Sequence, residues 1–469
     1  MNTLALALRN VHRNRRRSLT TLLAMIVGAC AVLLFSGYSR NIHLGLQTGF
    51  VRSSGHLQIQ HRDYFVFGAG NPAAYGLDET PELMRILETD AVLAPLLTVV
   101  TPVLQIGGIA GHFAAGVSRT VIGAGVDVAG QNRLRMWNDY GFPEDATPTH
   151  SPLTGSPEDA AVIGAGVARV LQLCQVLQVK PCPVVSEPPV EVPTAAPADI
   201  LALSALALSA QDARPLTPTA MPQIELLATN AHGVPNVATL QVVKAETLGV
   251  KEYDDMAITL HLAQAQRLVY GRSPPKVTAI VLQLKHTADM PLVRTRLETL
   301  FATTFKGRPL AVQDFATLHP QYGQITGMFS AILGFIAVLI GGIVLFTVSN
   351  TMSMAVVERT VEIGTLRAMG LRRQGIRRLF VCEGLVLGVA GAVLGVGLAL
   401  GLAWAVNHSG LTWLPPGNSE PVPLTVRVWG ETLTLVWTAL GLLVVSAVSA
   451  WWPARRAAQL DIVEALRHV

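Results

Sequence analysis

Charge is scarce in this chain. Only 14% of its 469 residues are Asp, Glu, Lys or Arg, against about a quarter in ordinary soluble domains. With 50% hydrophobic residues and a mean hydropathy of +0.43, that scarcity excludes an ordinary soluble protein and points to a membrane protein. No Gly-x-x-x-x-Gly-Lys-Ser/Thr occurs, so the chain cannot build the phosphate cradle of a P-loop ATPase. Gly164-Ala165-Gly166 has neither the lysine nor the spacing of a nucleotide loop and reads as a turn or helix start. No Ser, Cys or carboxylate stands in a recognisable catalytic frame. Metal-ligand spacing is missing too, because His56 and His61 fall on opposite faces of a strand.

What is present is apolar length, and it is concentrated at the two ends. Four windows suffice to cross a hydrocarbon core, which takes about 20 apolar residues in helical form. The expected layout is a cytoplasmic amphipathic N-terminus at 1–18, helices at 19–39, 327–350, 379–406 and 433–452, and an outer domain at 40–326. A cytoplasmic loop at 351–378, an external loop at 407–432 and a cytoplasmic tail at 453–469 complete it. The fold class is a membrane α-helical protein with four transmembrane helices, one before and three after a large α+β extracytoplasmic domain of two lobes. Basic residues before 19 and the run Val27-Gly28-Ala29-Cys30 also resemble a cleaved lipoprotein signal. The apolar run continues through Phe35, which favours an uncleaved anchor.

Arginine placement orients the chain. The three segments expected inside hold fourteen arginines against four acids, a net charge of +10 in a chain of net +4. Both termini are therefore expected in the cytoplasm and the domain outside. The pI near 9.0 follows from that topology and gives no support to nucleic-acid binding. Cys30 and Cys382 fall in or beside membrane helices, whereas Cys174 and Cys182 fall in the outer domain, where either a disulfide or two free thiols fits the spacing.

Within 40–326, alternation and helical spacing predict strand, helix, strand over 55–126, with Leu83, Ile86 and Leu87 on the helix. The same order is predicted over 277–313, with Leu292, Leu297 and Leu300 on one helix side. These two pieces, 40–160 and 246–326, are expected to form one lobe, and 161–245 a smaller inserted one. The insertion reads as a helix at 161–178, a Pro/Ala-rich stretch at 181–222, and strands at 224–228 and 238–243.

Two segments carry information about function. The loop Val357-Glu358-Arg359-Thr360-Val361-Glu362-Ile363-Gly364-Thr365-Leu366-Arg367-Ala368-Met369-Gly370 reads as a helix ending at glycine, with Glu358 and Glu362 on one face. Such a helix suits either docking to a partner protein or an anionic lipid interface. In the third membrane window Gly384, Gly388, Gly391 and Gly395 recur at i+4, i+3 and i+4, a face for close helix packing, while Glu383 lies where it can reach the interface.

VERTVEIGTLRAMGLRRQGI, FVCEGLVLGVAGAVLG and the tail PARRAAQLDIVEALR, with Ile462 where proline is usual, closely resemble the FtsX-like and MacB-type permeases of ABC transporters. The GHLQIQHRDYF segment is more similar to the lipoprotein-releasing (LolC/LolE-like) branch. The resemblance implies a bacterial inner-membrane permease subunit with a periplasmic domain whose porter-like lobe is formed by 40–160 and 246–326. It would form a dimer with a second copy or a paralogue, on a separate ABC ATPase that uses ATP and Mg; this chain itself would bind no cofactor and have no enzyme activity. Carried over by position, Glu358, Arg359, Glu362, Ile363, Gly364, Leu366 and Arg367 would form the ATPase-coupling region. The implied work is mechanotransmission to the periplasmic domain for lipoprotein or lipid-linked cargo. The alternatives are efflux with a periplasmic adaptor and FtsX-like signalling to a cell-wall hydrolase.

Overall fold

The computed structural model describes residues 3–13, 15–68, 70–142, 150–182, 221–414 and 421–460. The Pro/Ala-rich stretch from 183 to 220 and the PARRAAQLDIVEALR tail from 461 onward lie outside them. The chain divides into a helical unit (1–47, 320–413 and 421–469) and a sheet unit (48–319 with 414–420).

In the helical unit, α1 spans Thr3–Arg13, α2 Arg15–Ser54 (entering the sheet unit after Gln47), α3 Pro320–Glu358, α4 Thr360–Ala368, α5 Arg373–His408 and α6 Thr432–Gln459. Among the described residues, α2, α3, α5 and α6 are long and apolar enough to cross a membrane. The 40 residues of α2 span about 60 Å, twice the roughly 30 Å of a hydrocarbon core, so this helix continues well past any bilayer it crosses. A short antiparallel pairing of Thr412–Trp413 with Val422–Pro423 closes the segment between α5 and α6. The unit's core gathers Met25 and Ala29 of α2, Val344, Val348 and Met352 of α3, Phe380 and Leu387 of α5, and Ala450, Ala454 and Ala457 of α6.

The sheet unit contains β1 (Leu57–His61), β2 (Leu97–His112), β3 (Val117–Val126), β4 (Ala160–Gly164), β5 (Gln223–Thr229), β6 (Pro235–Glu246), β7 (Ala257–His261), β8 (Ala279–Leu284) and β9 (Leu310–Asp314). β2 is the organising strand. Its second half pairs with β3 on one edge and β5 on the other, and β3-β7-β4-β6-β5 returns to β2, so these six strands form a closed ring. Closure satisfies the edge amides that an open sheet would expose. The first half of β2 pairs with β8, which continues through β1 to β9. Against this extension pack the helix Thr80–Thr89 through Leu83 and Leu87, and the helix Met290–Thr303 through Val293, Leu297 and Leu300.

Three readings change. Leu292 is 55% exposed and Val293 fully buried, because 293, 297 and 300 keep the i, i+4, i+7 spacing that 292 breaks. The stretch 161–178 opens as a strand: β4 is buried throughout between β6 and β7, and only 165–170 is helix. A short apolar run does not by itself distinguish buried strand from buried helix. Finally, β4, β5 and β6, expected in a separate lobe, are built into one ring with β2, β3 and β7.

His56 is fully buried ahead of β1. Its Nδ1 accepts from the Leu284 N–H at 3.0 Å, leaving Nε2 to donate to Thr287 Oγ1 at 3.1 Å, with the Trp137 ring edge-on at 4.9 Å. Burial pushes its pKa down to about 4 despite the opposing charge of Asp139.

Candidate functional site

The region marked by Glu358 to Gly370 lies wholly in the helical unit. α3 ends at Glu358, the backbone turns at Arg359 (φ −106°, ψ 17°), and α4 begins at Thr360. At the far end the Leu371 N–H reaches the Leu366 carbonyl at 3.0 Å and the Gly370 N–H the Arg367 carbonyl at 3.0 Å, with Gly370 at φ +98°. This pattern closes a helix on a left-handed glycine, and Leu366 and Leu371 on either side of it both pack against the core of the helical unit.

The expected site residues separate into two layers. Ile363 and Gly364 are buried, and Ile363 joins the core of Val356, Ile376 and Phe380, with Leu366 packed against it. Glu358 and Glu362 face outward. Arg17 donates through both terminal nitrogens to Glu358, at 2.6 and 2.7 Å. Arg13 Nη2 donates to both Glu362 oxygens, at 2.7 and 2.9 Å. The Arg13 and Glu362 side chains are 54% and 53% exposed, so this pair adds little stability. Val357, Val361 and Met369 lie exposed on the same segment.

Arg359, placed in the coupling region by resemblance, is buried. Its side chain is 7% exposed and that of Glu383 5%, and its Nη1 donates to Glu383 Oε1 at 3.1 Å. Its Nη2 donates to the Asn10 carbonyl at 3.3 Å, and Asn10 Nδ2 donates to the same Glu383 oxygen. Glu383, expected near the interface, is thus enclosed beneath α1 and the α3–α4 turn. Arg367 donates to the Leu460 carbonyl just after α6. Sequence reading missed Asn10, Arg13, Arg17 and Glu383. Two signals were available: arginines ahead of the first window facing glutamates after the second, and Glu383 as the only acid between 363 and 419.

Gly384, Gly388, Gly391 and Gly395 of α5 all sit at close approaches, and the stripe serves two neighbours. A Cβ on Gly384 would stand 2.7 Å from that of Ala450, and one on Gly388 2.9 Å from Ser446 Oγ, both on α6. On Gly391 and Gly395 it would stand 2.7 Å from the Cβ atoms of Met25 and Ala29 on α2. Ser446 Oγ also donates to the Gly384 carbonyl at 2.5 Å. In the sheet unit Cys174 and Cys182 are joined as a disulfide with Cα atoms 5.6 Å apart. Among the described residues no group of His, Cys, Asp and Glu is placed to hold a metal. The α4 region thus presents an outer face of charge and exposed apolar side chains and is joined to the bundle by a buried ion pair.

Residues 329–462 match the family described as FtsX-like permease C-terminal. An uncharacterised ABC transporter permease of Methanocaldococcus jannaschii is 27% identical over 46% of this chain and 52% of its own length. The macrolide export ATP-binding/permease protein MacB of Bdellovibrio bacteriovorus is 27% identical over 47% of this chain and 32% of its own length. The lipoprotein-releasing system transmembrane protein LolC of Neisseria meningitidis is 26% identical over 51% of this chain and 58% of its own length. The chain thus spans between about a third and somewhat over half of these curated relatives. It carries an FtsX-like permease C-terminal domain over 329–462 and is similar to the MacB- and FtsX-like ABC transporter permeases.

Proposed function

We propose that the chain is the membrane subunit of an ABC transporter, transmitting movement of a separate ATPase at α4 to a domain on the opposite side of the membrane. The observation that carries this reading is the construction of the segment 357–369 around α4: exposed Val357, Val361 and Met369 beside outward Glu358 and Glu362, anchored by buried Arg359 and Ile363. A partner pressing on that face meets a helix that cannot slide freely, because its inner side is packed and ionically tied. α2 and α3 bracket the sheet unit in the chain, so movement of the bundle acts on both of its ends.

In this reading the arginine-rich ends face the cytoplasm, the sheet unit is periplasmic, and two copies or paralogues pair in the bacterial inner membrane. The cargo class is a lipoprotein or another lipid-linked molecule, for which support comes from the relative named as a lipoprotein-releasing protein. The relatives named as macrolide exporters favour a second reading, efflux with a periplasmic adaptor.

The test is Glu358→Lys in the complex of the full chain with its ATPase, reconstituted in lipid. Stimulated ATP hydrolysis should drop at least tenfold with the complex still folded; full stimulation would remove α4 from the coupling role. Co-purified lipoproteins, as against a periplasmic adaptor, separate the two cargo readings.

A further inference from the structure

Three pieces of chain meet at one carboxylate. Asn10 comes from α1, Arg359 from the α3–α4 turn, and Glu383 from the first third of α5. Glu383 is 3% exposed, Arg359 is 6% exposed, and Arg359 also holds the Asn10 carbonyl. The three thus form a closed triangle in which each member touches both others. The outer pairs Arg17–Glu358, between α2 and the end of α3, and Arg13–Glu362, between α1 and α4, are partly or largely exposed and add little stability. A buried ion pair contributes less to stability than apolar packing of the same volume would, and its best-attested use is to fix register.

We propose that Glu383 is the positioning residue of the α4 region: it locks α1, the α3–α4 turn and α5 into one block, so that displacement of α4 carries α1 and α5 with it. The proposal rests on the reading that a partner acts at α4. It also assigns the N-terminal helix to the moving part rather than to passive anchorage. A carboxylate is suited to the place because one oxygen accepts from both Asn10 and Arg359 while its charge compensates the guanidinium; a glutamine would leave that charge without a counter-ion.

The test uses the full chain in lipid nanodiscs with Glu383→Gln, and with the double variant Arg359→Met/Glu383→Leu, which leaves no buried charge behind. Amide hydrogen exchange is read over 3–13 and 360–368, with 279–284 as an internal reference. We expect exchange in both helices to rise about tenfold in Glu383→Gln, which strands the buried guanidinium, and by a smaller factor in the double variant, which loses the tie but keeps apolar packing, while the reference strand is unchanged. Asn10→Ala should raise exchange at 3–13 alone. In the assembled transporter, cargo moved per ATP should fall severalfold while hydrolysis continues, a split that a merely stabilising pair would not produce. Unchanged exchange at 3–13 and 360–368 in Glu383→Gln would overturn the tie, and raised exchange with a normal cargo-to-ATP ratio would overturn the positioning role. Should Glu383→Gln fail to fold, the double variant and Asn10→Ala decide. If the unsubstituted chain supports no partner-stimulated hydrolysis, the reading of the site fails, and the exchange measurement still decides the tie.

Discussion

The cores of the two units are built from different residues. Around β8 the sheet core consists of large side chains: Leu57, Ile59, Leu83, Leu87, Ile280, Leu282, Leu284, Val293 and Leu297. The helical core sets Met25, Val344, Phe380 and Leu387 among Ala29, Ala392, Ala450, Ala454, Ala457 and Ala458, with Gly384, Gly388, Gly391 and Gly395 of α5 at its closest approaches. Water drives the first, where each buried methylene contributes about 0.8 kcal/mol. Helices in a membrane gain nothing by hiding apolar surface from lipid and associate through close packing and hydrogen bonds, which requires small residues. The two units should therefore fail in opposite ways, one by losing volume and the other by gaining it.

Leu282→Ala in β8 tests the first half and has the largest expected effect, about 2 to 5 kcal/mol, because the site is fully buried among side chains that cannot all relax. Hydrogen exchange over 279–284 in the full chain would read it, and a loss under about 1 kcal/mol would contradict the account of the sheet core.

Next comes His56. With a folded pKa of about 4 against about 6.5 in the unfolded chain, the unfolded state takes up the proton first as pH falls. Stability of the sheet unit should be intact above pH 6.5 and decline between pH 6.5 and 4, by at most about 3 kcal/mol. His56→Asn should flatten that slope in a denaturation series, and an unaltered slope would assign the acid sensitivity elsewhere.

Gly391→Val tests the other half, since its Cβ would lie 2.7 Å from the Met25 Cβ. A cost of about 1 to 3 kcal/mol, read as lowered thermal stability of the helical unit in detergent, is expected. Tolerance of valine there would end the contrast between the cores. The smallest effect belongs to Arg13 and Glu362, whose coupling in a double-mutant cycle should be a few tenths of a kcal/mol and vanish in high salt.

How much of this could be read in the sequence depended on the range of the interaction. The membrane-capable helices follow from uninterrupted apolar length, which needs no partner to be recognised. The α5 glycines were legible because i+4, i+3, i+4 is a local register, although nothing local divides them between α6 and α2. The burial of Arg359 was not legible because it depends on Asn10 and Glu383, which are brought to it from 349 and 24 residues away. The ring closure was illegible for the same reason: β3 meets β7, and β2 meets β5, across more than a hundred residues. At 292 and 293 the error was one of phase, since two adjacent apolar residues compete for one helix face.

The claim that α4 receives the movement of an ATPase is tested most directly by placing a photo-crosslinking residue at position 361 in the full chain within native membranes, with position 306 on the sheet unit as reference. Both side chains are exposed. The account predicts a covalent product with an ATP-binding subunit from 361 and none from 306; no such product from 361, or an equal one from 306, would contradict it.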